Sequence, residues 1–164
     1  MQASRATFFG LVSVPPAASV LFDWALGVSE LAPIIFDPNI RPAVIPDREK
    51  YRAQVERWIE ISSVVKVSED DLAWLYPDRD DVEVAKEWIA NDVSIVVITR
   101  GANGLVGVTQ TGVYTVPGVK VDVVDTVGAG DTVGAIVVEA IVEHGSKALS
   151  GELLSHVLVR ATKA

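Results

Sequence analysis

The sequence predicts a three-layer α/β domain in which helices flank a mostly parallel sheet, with residues 1–164 forming one unit. Three observations carry that expectation. Residues 33–36, 63–67 and 94–99 are short runs apolar on both faces, as strands buried on two sides are. Stretches of helical period lie between them, clearest over 48–59. Turn-forming residues such as Asp37-Pro38-Asn39 follow the strand ends, where ligands collect in open α/β sheets.

Composition bounds the function. The chain of 164 residues is 49% hydrophobic, enough for a real core, so a disordered segment is excluded. Its 22 acidic and 14 basic residues leave a charge of −8, which argues against a nucleic-acid or anionic-membrane partner. A local ring of amides still holds phosphate in such a protein. With no cysteine, disulfides and thiolate metal sites are impossible, and a reducing, cytoplasmic setting is the default. His144 and His156 alone build no zinc site, and no metal-ligand cluster is expected. No run is long enough to span a bilayer, and the Met1–Arg5 opening lacks the layout of a secretion signal.

The elements follow in order. Residues 6–14 read as a buried strand, ended by Pro15-Pro16, and 17–26 as a helix with proline at its start. Residues 33–36 form a strand whose end turns through Asp37-Pro38-Asn39. In the helix over 48–59, Tyr51, Val55, Trp58 and Ile59 share the buried face. After the strand over 63–67, Ser68 and Asp71 have capping-box spacing. A helix over 81–90 follows, its acidic start favoured by the helix dipole. The strand over 94–99 leads through Thr99-Arg100-Gly101-Ala102-Asn103-Gly104 into short strands at 105–109 and 113–116, which the glycine turns make a hairpin. Helices over 132–143 and 150–161 end the chain. Trp24, Trp58, Trp74 and Trp88 fall in or beside helices and read as core or interface residues.

The stretch Asp125-Thr126-Val127-Gly128-Ala129-Gly130-Asp131-Thr132 organises the rest. Gly128 and Gly130 admit backbone angles closed to other residues. The amides of Gly128, Ala129, Gly130 and Asp131 can then converge on one anion, joined by the positive end of the next helix. Two readings stand. In one, Asp131 handles a proton beside a bound phosphate; in the other, the segment is a tight turn and Asp131 or Thr132 caps the helix.

This stretch resembles the C-terminal signature of the PfkB family of carbohydrate kinases, the ribokinase–fructokinase fold. Phe36-Asp37-Pro38-Asn39-Ile40-Arg41, Val65-Lys66-Val67-Ser68-Glu69-Asp70-Asp71 and Thr99-Arg100-Gly101-Ala102-Asn103-Gly104 match further family segments in order. The resemblance implies a three-layer ribokinase-like, Rossmann-like domain and ATP-dependent phosphoryl transfer to a sugar hydroxyl, fructose or a related sugar, with ATP and Mg2+ as cofactors. It implies Asp131 as the base with Gly128, Ala129 and Gly130 as the anion hole. Ser68, Asp71, Thr99, Arg100, Gly101, Gly104, Asp125 and Thr126 fall on the nucleotide side, and Asp37, Asn39 and Arg41 on the substrate side. Ser68 and Asp71 stand where the family shows Asn and Glu near the magnesium–phosphate shell. Asp125 either binds water around magnesium or holds the loop. Arg100 faces phosphate or is merely exposed.

Val127 stands where a threonine is common and Val133 where an aromatic is usual. The family's N-terminal half, with its sugar-binding acid and sheet lid, has no counterpart here. An oligomer or a partner chain supplying that half is therefore expected. Against the kinase reading stand a nucleotide-binding or structural oligomerisation module without activity, and a ribokinase-like kinase of another small alcohol.

Overall fold

The computed structural model describes residues 7–9, 17–45, 47–119 and 128–163. Six strands form one sheet in chain order: β1 (Thr7–Phe9), β2 (Ile34–Phe36), β3 (Val64–Ser68), β4 (Ile95–Thr99), β5 (Leu105–Thr109) and β6 (Gly112–Val116). β1 to β4 run parallel, and β5 and β6 return antiparallel at the hairpin expected over 105–116. The sheet is thus mixed. Only residues 7–9 of the strand expected over 6–14 are described.

Helices α1 (Ala17–Ser29), α2 (Arg48–Glu60), α3 (Glu69–Leu75) and α4 (Asp81–Ala90) cover one face of the sheet. Helices α5 (Ala129–His144) and α6 (Gly151–Ala161) cover the other. The alternation of strand side chains divides the core accordingly. Val65, Val67, Val96 and Ile98 pack with Trp58, Leu75 and Trp88, whereas Val64, Ile95 and Val97 pack with Val137, Ile141, Leu154 and Leu158. Phe36 stacks on Trp58 at 5.5 Å between ring centres, and Phe22 meets the same indole edge-on at 5.3 Å. Each such pair adds about 0.5–1.5 kcal/mol beyond its area.

Caps fix where the helices start. Asp47 accepts from the Lys50 amide at 3.1 Å, and Asp80 accepts from Val82 and Glu83, both at 3.0 Å. Trp58 and Trp88 are buried and Trp74 partly so, but Trp24 is 51% exposed. No helix among the described residues is long and apolar enough to cross a membrane.

Candidate functional site

The site grows from the register of two strands. Phe36 pairs with Val65, so the next residues, Asp37 and Lys66, stand side by side at the strand ends. Ile35 and Val64 point toward α5 and α6; by alternation Asp37 and Lys66 do too. The Lys66 Nζ donates to Asp37 Oδ2 at 2.5 Å, with side-chain exposures of 9% and 2%. Burial pushes the Asp37 carboxyl above its ordinary range. Lys66 and the Asn39 amide pull it back, and the nearby Asp131 charge adds a smaller upward push.

The amino end of α5 lies over this pair. The helix begins at Ala129, three residues before the expected 132, so Ala129, Gly130 and Asp131 form its first turn rather than a preceding loop. Gly128, at the N-cap, takes a left-handed φ of 85° that favours glycine. No side chain among the described residues caps this end; the Thr132 amide and hydroxyl both donate to the Gly128 carbonyl. Gly130 is glycine for a different reason than the sequence suggests. It is helical, and a Cβ placed on it would lie 3.1 Å from Lys66 Nζ. The Lys66 ammonium, paired with Asp37, thus sits against a helix start that no side chain among the described residues caps, and both features favour an anion. Asp131 is exposed in the same first turn of α5. Asp125 and Thr126 lie outside the described residues.

The loop after β2 is held from three sides. Asp37 Oδ1 accepts from the Asn39 amide at 3.1 Å, shaping a turn in which Asn39 takes a φ of 42°. The Tyr51 hydroxyl donates to the Pro38 carbonyl at 3.0 Å, and burial first, then the Asp71 and Asp37 charges, push its pKa up to about 12. The Ile40 amide donates to Asp71 Oδ1 at 3.1 Å. Arg41 is exposed, with its guanidinium donating to the Ile40 carbonyl at 3.1 Å.

Ser68, Asp71 and Arg100 are all engaged within the protein. Ser68 and Asp71 form a full capping box: the Ser68 hydroxyl accepts from the Asp71 amide at 3.0 Å, and Asp71 Oδ2 accepts from the Ser68 amide at 3.4 Å. Both Asp71 oxygens therefore accept from backbone amides, and the residue braces the 37–41 loop against α3. Burial still raises its carboxyl above the usual range, against the pull of those hydrogen bonds. Arg100 is likewise engaged. Its Nε and Nη2 bind the Asp81 carboxylate at 2.6–3.0 Å, tying the β4 end to the start of α4. Changing Arg100 to Ala should lower stability in urea by about 1–2 kcal/mol and leave phosphate binding unchanged.

Thr99 stands beside Ser68 in register, one strand further along the sheet. In the turn after it, the Arg100 amide donates to Gly104 and the Asn103 amide to Arg100. Gly104 is required by close approach, since a Cβ there would meet the Val116 carbonyl at 2.1 Å; Gly101 takes a φ of 49°. Lys66 is the residue that sequence reasoning missed. Its signal was a charge inside the otherwise apolar Val64-Val65-Lys66-Val67 run.

Among known proteins, the model of the pfkB family carbohydrate kinases matches residues 17–156. The chain belongs to the PfkB family. This PfkB chain is 38% identical over 133 residues to a fructokinase of Rhizobium leguminosarum bv. trifolii, covering 80% of itself but 41% of that protein. It is 32% identical over 102 residues to the Escherichia coli fructokinase, covering 60% of itself and 32% of that protein. Its structure overlays a Vibrio cholerae O395 fructokinase, solved with fructose, ADP and potassium, at a TM-score of 0.84 and 25% identity; 99% of this chain and 53% of that one are covered. An aminoimidazole riboside kinase of Salmonella enterica shares the fold, with a TM-score of 0.80 at 23% identity over 98% of this chain and 55% of its own. The PfkB chain thus spans about half the length, or less, of these relatives.

Proposed function

We propose that the chain carries the nucleotide-phosphate half of an ATP-dependent sugar kinase, with fructose the favoured acceptor. The observation that carries the reading is the buried Lys66 ammonium set beneath the uncapped amino end of α5. Such a pair is a ready site for a phosphate group. Amides of Ala129, Gly130 and Asp131 hold charge on the transferred phosphoryl group. The sugar oxygen bonds to phosphorus as the bond to the ADP oxygen breaks, and Asp131 takes the hydroxyl proton. Asp37 fixes Lys66. Thr99, Gly101 and Gly104 lie on the nucleotide side, with Ser68 and Asp71 as structural supports. Asn39 and Arg41 lie on the substrate side, and Asp125 and Thr126 precede the anion hole. Support for fructose comes from the relatives named fructokinase and from the fructose and ADP in the V. cholerae structure.

Among the described residues no group of three or more His, Asp or Glu side chains could hold a metal ion, and both Asp71 oxygens accept from amides. Magnesium would come with the nucleotide, held by phosphates and water. The half-length match favours one second reading, a nucleotide-binding module without transfer of its own. Calorimetry with ATP and ADP, beside a transfer assay with fructose, separates them. ATP binding with transfer supports the kinase; binding alone supports the module; no binding overturns both.

Gly130 gives a sharper test. Changing Gly130 to Ala should leave stability little changed, because the entropy gained by replacing a first-turn glycine is offset by crowding of the buried Lys66–Asp37 pair. The new methyl meets Lys66 Nζ, however, and should weaken ATP binding by about tenfold through lost charge-assisted contacts. Unchanged ATP affinity in a folded Gly130→Ala variant would count against the anion site.

A further inference from the structure

Lys66 is placed by a chain of contacts that begins on another element. Asp37 accepts from the Lys66 ammonium at 2.5 Å through Oδ2 and from the Asn39 amide at 3.1 Å through Oδ1, so one carboxylate serves both the cation and the turn. A shift of that turn is therefore a shift of Lys66. Pro38 brings no N–H to it, which leaves the Pro38 carbonyl as the polar group between Asp37 and Asn39. Pro38 is buried, and the Tyr51 hydroxyl donates to its carbonyl at 3.0 Å. Asn39 follows at a φ of 42°, a left-handed conformation that persists where the surroundings fix it.

Tyr51 is itself held firmly. It stands in the first turn of α2, where its amide donates to the Asp47 carbonyl at 3.1 Å and the Asp47 side chain caps the helix. It is 4% exposed, and its ring meets Trp74 edge-on with 5.9 Å between centres. Packing of this kind needs only the ring. The hydroxyl serves a carbonyl 13 residues away in sequence, on the turn that carries Asp37. We infer, taking Lys66 as the phosphate-holding cation proposed above, that Tyr51 is a positioning residue of that site: its hydroxyl pins the Asp37–Asn39 turn and so keeps Asp37, and through it Lys66, beneath Gly130. Tyr51 acts through the Pro38 backbone and not on the phosphate itself.

Two variants of the full chain separate positioning from packing. Tyr51→Phe removes the hydroxyl and keeps the ring. Val55→Ala opens the core one turn further along α2 at a fully buried side chain and removes no bond to the turn. Lysines are acetylated briefly with acetic anhydride and read by peptide mass, with the half-exposed Lys86 as internal reference. ATP affinity is read by calorimetry. Lys66, its side chain 9% exposed, should label slowly in wild type. In Tyr51→Phe it should label about fivefold faster, and ATP should bind about fivefold more weakly, the worth of one net hydrogen bond. Val55→Ala should lower the thermal midpoint further than Tyr51→Phe does, yet change neither readout. Unchanged Lys66 labelling in Tyr51→Phe overturns the inference, and so does equal acceleration in both variants, which would mean loosening of the fold at large. Labelling needs no nucleotide. A wild type that binds no ATP would remove the phosphate site, while the labelling still decides whether Tyr51 holds Lys66 in place.

Discussion

Changing Lys66 to Met is expected to lower stability by about 3–5 kcal/mol at neutral pH and to abolish ATP binding, the largest double effect of any single change. The stability loss comes from Asp37, which is 2% exposed and would be left as a buried charge without its partner. The binding loss comes from removing the only ammonium set under α5 among the described residues. The two effects separate in the Lys66→Met, Asp37→Asn double variant, which should regain most of the stability and none of the affinity. The pH dependence has a definite sign. Burial already holds the Asp37 carboxyl above its unfolded value, and without Lys66 it rises further. A carboxyl raised in the folded state binds protons more readily there than when unfolded. Stability is therefore gained as pH falls through the folded pKa toward the unfolded value. The gap between wild type and Lys66→Met, measured by urea unfolding, should narrow on going from neutral pH toward the ordinary carboxylate range. A constant gap would show that Asp37 is not the group left uncompensated.

Changing Asp131 to Asn is expected to slow phosphoryl transfer by about 10²–10⁴-fold, the usual range for a lost general base. ATP affinity should hold or improve, since the carboxylate beside the bound phosphates repels them. Stability should hardly change: Asp131 is exposed within the first turn, and Gly128, not Asp131, occupies the N-cap. Single-turnover measurements on the same preparation that shows transfer in wild type, with affinity from calorimetry, make the comparison. Transfer at the wild-type rate would remove Asp131 from the chemistry and leave the turn reading.

The sheet was legible because its strands are apolar on both faces. Ile34–Phe36, Val64–Ser68 and Ile95–Thr99 stand within a residue of their expected bounds. The capping box was legible too, since Ser68 and Asp71 are three residues apart and local spacing determines it. Contacts across the chain were not. The Ile40 amide that Asp71 accepts from is 31 residues away, and the Asp81 that engages Arg100 is 19 away. No periodicity encodes such pairs. Gly130 misled for a related reason: a glycine two residues after Gly128 reads as a turn residue, whereas its missing Cβ makes room for a lysine from β3. Lys66 itself was visible as a letter in a matched segment, but its role needed the register of β2 on β3.

The strand order carries a consequence for how the molecule is made. Each strand from β2 to β6 pairs with the one synthesised just before it, so among the described strands none has to slip between partners added earlier. Contacts between sequence neighbours close small loops and form quickly. The sheet can therefore extend one ribbon at a time as the chain leaves the ribosome, from β1 toward β6.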